Sequence, residues 1–210
     1  IQARQHLRFK TKMDLEFTYI AGWHDHDGFI KANAHQIKGA PHAVAPALRA
    51  KAKVVFTAHS IPQAMAHESR YEADLRESAL LIANELGQSD WALAYQSRSG
   101  QPEQPWLEPD VCDYLRMERN RGLRAVILSP LGFVADHIEV LYDLDYEANK
   151  VCQEIGLVMH RAATVNDHPL FLDMLADVIH KTISRYSIGW PLSIATLANP
   201  VKIESPPPAR

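Results

Sequence analysis

Short apolar runs rich in branched residues punctuate this chain, and longer segments with apolar positions three or four residues apart separate them. The runs 53–58 (KVVFTA), 91–96 (WALAYQ), 124–129 (RAVILS) and 157–161 (LVMHR) predict strands, the first of them buried. A helix is predicted within 63–86, with Ala79, Leu80, Ile82, Ala83 and Leu86 among its apolar positions and Gly87 as its stop. A second is predicted over 109–120, opening on Pro109 and acidic residues and ended by Gly122. The third covers 136–150 and the fourth 169–183. Four β-α units in series imply an α/β fold: a doubly wound, four-stranded parallel sheet with right-handed crossovers and helices on both faces. Upstream, 16–21 reads as a strand and 28–38 as a helix, followed by a linker over 39–46. Downstream, 184–210 contains five prolines and ends SPPPAR, which predicts a tail disordered at its end. No internal repeat is legible.

Composition narrows the function. The chain has 210 residues, 47% hydrophobic and 22% charged, which is ordinary for a soluble globular protein. A net charge of −3 supplies no basic field, so nucleic acid is not expected as a partner. No apolar run reaches the roughly 18 residues of a membrane span, and no stable membrane insertion is expected. Cys112 and Cys152 lack paired spacing, so neither a disulfide framework nor an iron–sulfur cluster is expected, and a reducing cytoplasm fits. The chain starts at Ile1 instead of Met, as a truncated or processed product would.

The candidate chemistry lies at the carboxyl ends of the strands, where open parallel sheets bind ligands. His59 and Ser60 follow the first strand, and Gln96, Ser97 and Arg98 finish the second. After the third comes GFVADHIEVLYDLDYE (132–147), which places Glu139, Asp143 and Glu147 four apart, with Asp136 and His137 just upstream. On a helix these three carboxylates form one acidic rail. Such a rail by itself reads as a solvated face. With an imidazole opposite, it becomes a place to hold a divalent transition metal weakly or to move protons.

The blocks TAHSIP (57–62), YQSRSG (95–100), PWLEP (105–109) and GFVADHIEVLYDLDYE, with GWHDHDGFI at 22–30, resemble the ferrochelatase family over about residues 23–183. The resemblance implies a two-lobed, chelatase-like α/β enzyme, a lyase of heme biosynthesis that inserts Fe(II) into a porphyrin, either coproporphyrin III or protoporphyrin IX. Fe(II) is then the substrate metal. His59 and Glu139 match the family's active-site pair. Asp143 and Glu147 match an acidic series thought to lead metal or protons along a helix partly widened into a π turn. His59 and Glu139 are therefore both catalytic and metal-site candidates, one serving as base and the other as loose metal ligand, in either assignment. His137, Ser97 and Trp106 are candidate porphyrin contacts, Arg98 a weaker one. His24-Asp25-His26-Asp27 looks metal-like, although residues alternating in this way on a loop more often cap a helix.

The same resemblance divides the chain into a remnant of a first lobe with its linker (1–46), a second lobe carrying the metal side (47–184), and a Pro-rich tail (185–210). The wording of 132–145 is closer to the coproporphyrin branch. A chain lacking most of one lobe is expected to be poorly active alone and to self-associate through exposed apolar surface. The alternatives are another tetrapyrrole chelatase using cobalt or nickel, or a non-catalytic remnant that binds metal or heme.

Overall fold

The computed structural model describes residues 20, 22–40, 51–101 and 103–187. The strand expected over 16–21, most of the linker and most of the Pro-rich tail fall outside the described residues. Trp23–Leu175 forms one compact unit.

The larger unit is built on a four-stranded parallel sheet of β1 (Lys53–His59), β2 (Trp91–Gln96), β3 (Ala125–Ser129) and β4 (Val158–Arg161), in the order β2-β1-β3-β4. All four predicted strands form, and the sheet is parallel throughout. Val54 to Ala58 and all of β3 are buried, as expected for strands covered on both faces, and β4 at the edge is more exposed. One face carries α4 (Val111–Asn120), a short α5 (Ile138–Val140), a π-helix (Leu141–Ala148) and α6 (Asn149–Ile155). Val55, Val126 and Leu128 meet Val111, Leu115, Val140, Leu144 and Cys152 there. On the other side α1 (Asp27–Gly39) packs against α3 (Tyr71–Leu86) and reaches β3. Helix α1 therefore lies in the same compact unit as the sheet, although it precedes the boundary expected near residue 46.

The helix expected within 63–86 is α3, preceded by a short α2 (Gln63–His67), with the Ser69 hydroxyl accepting the Tyr71 N–H at 3.4 Å between them. Two local expectations need correction. Leu80, expected on the apolar face of α3, is 49% exposed, while Ala79, Ile82 and Ala83 are buried. Pro109 lies outside α4: Asp110 is the cap, accepting from Cys112 N–H at 2.8 Å and Asp113 N–H at 3.3 Å. Gly87 does end α3, in the left-handed conformation (φ 65°) that favours glycine. The last helix, α7 (Pro169–Ser187), runs four residues past the predicted 183. Among the described residues, no helix is long and apolar enough to cross a membrane.

Candidate active site

The acidic segment begins where β3 ends. Gly132, in the turn after β3, lies directly on the end of β1: a Cβ there would fall 2.6 Å from Ala58 Cβ and 2.8 Å from Ala58 Cα. Only glycine allows that approach, and the Gly132 N–H donates to Thr57 O at 3.0 Å. The chain then turns outward and restarts as a helix at His137, whose Nδ1 accepts the Glu139 N–H at 3.3 Å. His137, a candidate porphyrin contact, caps this helix, with its ring edge against Phe133 at 5.1 Å. An imidazole that accepts at Nδ1 carries its proton on Nε2 when neutral.

From Ile138 the helix runs without a break from α5 through the π-helix into α6. Val140, Leu144 and Ala148, spaced four apart, are fully buried and fix the rotation of the helix on the sheet. One residue back from each are Glu139, Asp143 and Glu147, so the acidic rail runs beside the buried one, with Asp143 half-buried and the two glutamates exposed. The wider π turn keeps residues four apart close to one line. Ile138, Tyr142 and Tyr146 lie on the outer side, the two tyrosine rings 5.5 Å apart.

His59 closes β1 and is half-buried. Its Nδ1 lies 2.5 Å from Ser60 O. A carbonyl oxygen only accepts, so Nδ1 holds the proton, and the neutral ring offers its lone pair at Nε2, the form needed to bind a metal or take a proton. Tyr71 donates its phenol O–H to His59 O at 2.8 Å. Burial pushes that phenol up to about 12, so it stays a donor near neutral pH.

The end of β2 supplies the link to the rail. Gln96 Nε2 donates to Asp143 Oδ2 at 3.2 Å, and Ser97 Oγ donates to the same oxygen. Ser97, a candidate porphyrin contact, gives its hydroxyl proton to Asp143. Trp106 is 8% exposed and pairs with Pro62 as an isolated bridge, closing the structure beside Gly100; a Cβ at Gly100 would strike the indole. Trp106, named above as a candidate porphyrin contact, thus packs inward at this position. Arg98 donates to the Gln101 and Gln104 carbonyls of its own loop.

In the His24–Asp27 segment, His26 caps α1 by accepting Gly28 N–H at 3.1 Å, and Asp27 pairs with Lys31. His24, Asp25 and Glu77 could jointly reach an ion, but His24 already pairs with Glu77 at 3.1 Å, and Arg70 bridges Asp74 and Glu77. Burial holds the Cys112 thiol up at about 12 and Cys152 at about 11, so neither is a thiolate near pH 7. The sequence reading missed Gly132 and Tyr71 entirely and took Gln96 only as a strand end; a glutamine closing a buried strand was the one local signal for Gln96.

A protein-family model described as Ferrochelatase matches residues 2–183. The chain belongs to the ferrochelatase family. The ferrochelatase of Rhodopirellula baltica is 46% identical over 162 residues, covering 77% of this chain and 46% of that protein. A coproporphyrin III ferrochelatase of Mycolicibacterium smegmatis is 43% identical over 173 residues, covering 80% of this chain and 50% of that protein. The chain spans about half the length of these curated relatives. Among solved structures, SirB from Bacillus subtilis with Fe3+ superposes with a TM-score of 0.61 at 13% identity, over 90% of this chain and 67% of that one. At that identity the likeness shows the chelatase fold alone. In this ferrochelatase-family chain, His59 and the acidic rail lie at one end of the parallel sheet, the end where β1, β2 and β3 deliver their carboxyl termini.

Proposed function

We propose that this chain carries the metal-side half of a ferrochelatase site and serves Fe(II) insertion into a porphyrin. The named relatives favour coproporphyrin III over protoporphyrin IX, and a cytoplasmic setting goes with that reading. Residues 47–184 act as the second lobe of the enzyme, with α1 of the preceding segment packed into the same unit. The observation that carries the proposal is His59: its Nδ1 is committed to Ser60 O, and its Nε2 is left for chemistry at the sheet end that also holds the rail.

The free porphyrin carries two pyrrole N–H protons that leave as the metal enters, so the net change is one Fe(II) bound and two protons released. His59 Nε2 takes up a pyrrole proton as general base. Glu139, whose carboxylate has no hydrogen-bond partner among the described residues, holds the incoming ion loosely, with Asp143 and Glu147 behind it. One imidazole and a few carboxylates suit a metal that must be handed on, whereas a closed tetrahedral site would retain it.

The test is metalloporphyrin formation followed by absorbance, with Fe(II) and coproporphyrin III. The chain is assayed alone and fused to the half of the Rhodopirellula baltica protein that it does not match. The fusion should insert iron, and its His59→Ala variant should lose about 100-fold or more, the usual scale for a general base. An inactive fusion, or an undiminished His59→Ala variant, overturns the proposal.

A further inference from the structure

We propose that Gln96 and Ser97 form a two-donor clamp that positions the Asp143 carboxylate for metal, which makes them positioning residues of the site; this rests on the function proposed above. Consecutive side chains of a strand point to opposite faces, so two neighbours do not normally reach one atom. Here Ser97 follows β2 with φ 62°, a left-handed conformation uncommon for a residue with a Cβ. That turn breaks the alternation. It brings Ser97 Oγ onto the same Asp143 oxygen, Oδ2, that Gln96 Nε2 reaches at 3.2 Å.

Gln96 occupies this position with an unmet need. It is 1% exposed, and its Oε1 is buried with no hydrogen-bond partner, an unfavourable arrangement that leucine would avoid. Its Nε2 bond to Asp143 is the feature that a leucine could not supply. The same residue also holds the histidine side of the site. Gln96 O accepts the Ser60 N–H at 2.8 Å, and Ser60 O in turn lies 2.5 Å from His59 Nδ1. One residue at the end of β2 thus ties the His59 ring and the Asp143 carboxylate to a common frame. Because Oδ2 takes both donors, Oδ1 is the oxygen presented to a cation. Hydrogen bonds to a ligating carboxylate from a second layer of residues orient it before the metal arrives, and losing them typically weakens binding about 10-fold to 100-fold.

The experiment measures Co(II) affinity of the chain by competition with a chromophoric chelator, together with its Tm. The proteins compared are wild type, Glu139→Gln, Gln96→Leu, Ser97→Gly and Ser97→Asn. Wild type should bind, and Glu139→Gln should weaken that binding. Gln96→Leu and Ser97→Gly should each weaken it about 10-fold while Tm stays level or rises, since leucine removes the unmet acceptor and glycine relieves the left-handed turn. Ser97→Asn, which tolerates that turn and keeps a polar side chain, should recover part of the affinity. Wild-type affinity in both Gln96→Leu and Ser97→Gly overturns the clamp alone. Affinity lost only in step with Tm in both variants, with no recovery in Ser97→Asn, assigns the two residues to folding and also overturns it. Wild-type binding that ignores Glu139→Gln, or no binding at all, removes the proposed function and the clamp with it.

Discussion

Residues 136–147 contain two sets of carboxylates with opposite fates. Asp136 and Asp145 face Arg161, which donates from Nε and Nη2 to the two oxygens of Asp145 at 2.6 and 3.0 Å and from Nη1 to Asp136 at 2.8 Å. Asp136 also accepts from Asn166 Nδ2 and from the Thr164 N–H. Desolvation pushes the Asp136 carboxyl up, but Asn166, Arg161 and Thr164 together outweigh it and hold the group below the usual carboxylate range. Glu139, Asp143 and Glu147, a residue or two away, have no cationic partner among the described residues. Like charges four apart on a helix repel, so the rail is mildly unfavourable where the Arg161 cluster is favourable. The difference separates carboxylates that hold β4 to the helix from carboxylates that meet no cationic side chain among the described residues.

The largest expected effect breaks the open set. In the fused enzyme, Glu139→Gln should reduce iron insertion by about 100-fold or more while Tm barely changes, because an exposed carboxylate with no partner contributes little to folding. Insertion near the wild-type rate would return the rail to a solvated face.

Next comes the closed set. Arg161→Met leaves two aspartates without their cation in a partly buried position, and urea unfolding should show a loss of about 2 kcal/mol, below the 3–5 kcal/mol of a fully buried pair because Asp145 is 39% exposed. The closed set also predicts a pH dependence. The Asp136 carboxyl is depressed in the folded state, so its contribution is present above the unfolded value of about 3.9 and disappears as pH falls through the lower folded value. Stability of the wild type should therefore decline below about pH 4, and Arg161→Met should flatten part of that decline while Asn166 and Thr164 maintain the rest. An identical acid limb in both proteins would show that Arg161 does not hold Asp136.

The smallest effect sharpens the comparison. Glu147→Gln removes one repulsion from the rail and should stabilise the chain by about 0.2–0.5 kcal/mol, read as a small rise in urea midpoint, while Co(II) affinity falls modestly. Destabilisation by 1 kcal/mol or more, a threshold well above that roughly half-kcal/mol scale, would mean that Glu147 has a structural partner.

Much of this arrangement is legible along the chain. The four strands, the Gly87 stop and the four-residue spacing of Glu139, Asp143 and Glu147 follow from periodicity and turn chemistry, which depend on neighbours a few residues away. The spacing also predicts that Val140, Leu141 and Leu144 turn away from the rail; Val140 and Leu144 are buried, whereas Leu141 is exposed. Resemblance to the ferrochelatase family singled out His59 and Glu139 and anticipated the π turn, information that the bare pattern lacks.

What only the tertiary structure decided involves residues far apart in sequence. The order β2-β1-β3-β4 sets the carboxyl end of β2 beside that of β1, which puts Gln96 and Ser97 within reach of Asp143, 46 and 47 residues later. The same packing gives Asp136 and Asp145 to Arg161 and leaves Glu139 open, although local spacing treats all of these acids alike. It also turns Trp106 inward. A local pattern records which face of its own element a residue occupies, whereas a carboxylate's partner depends on which strand end or crossover arrives opposite it, and that is determined only when the sheet assembles.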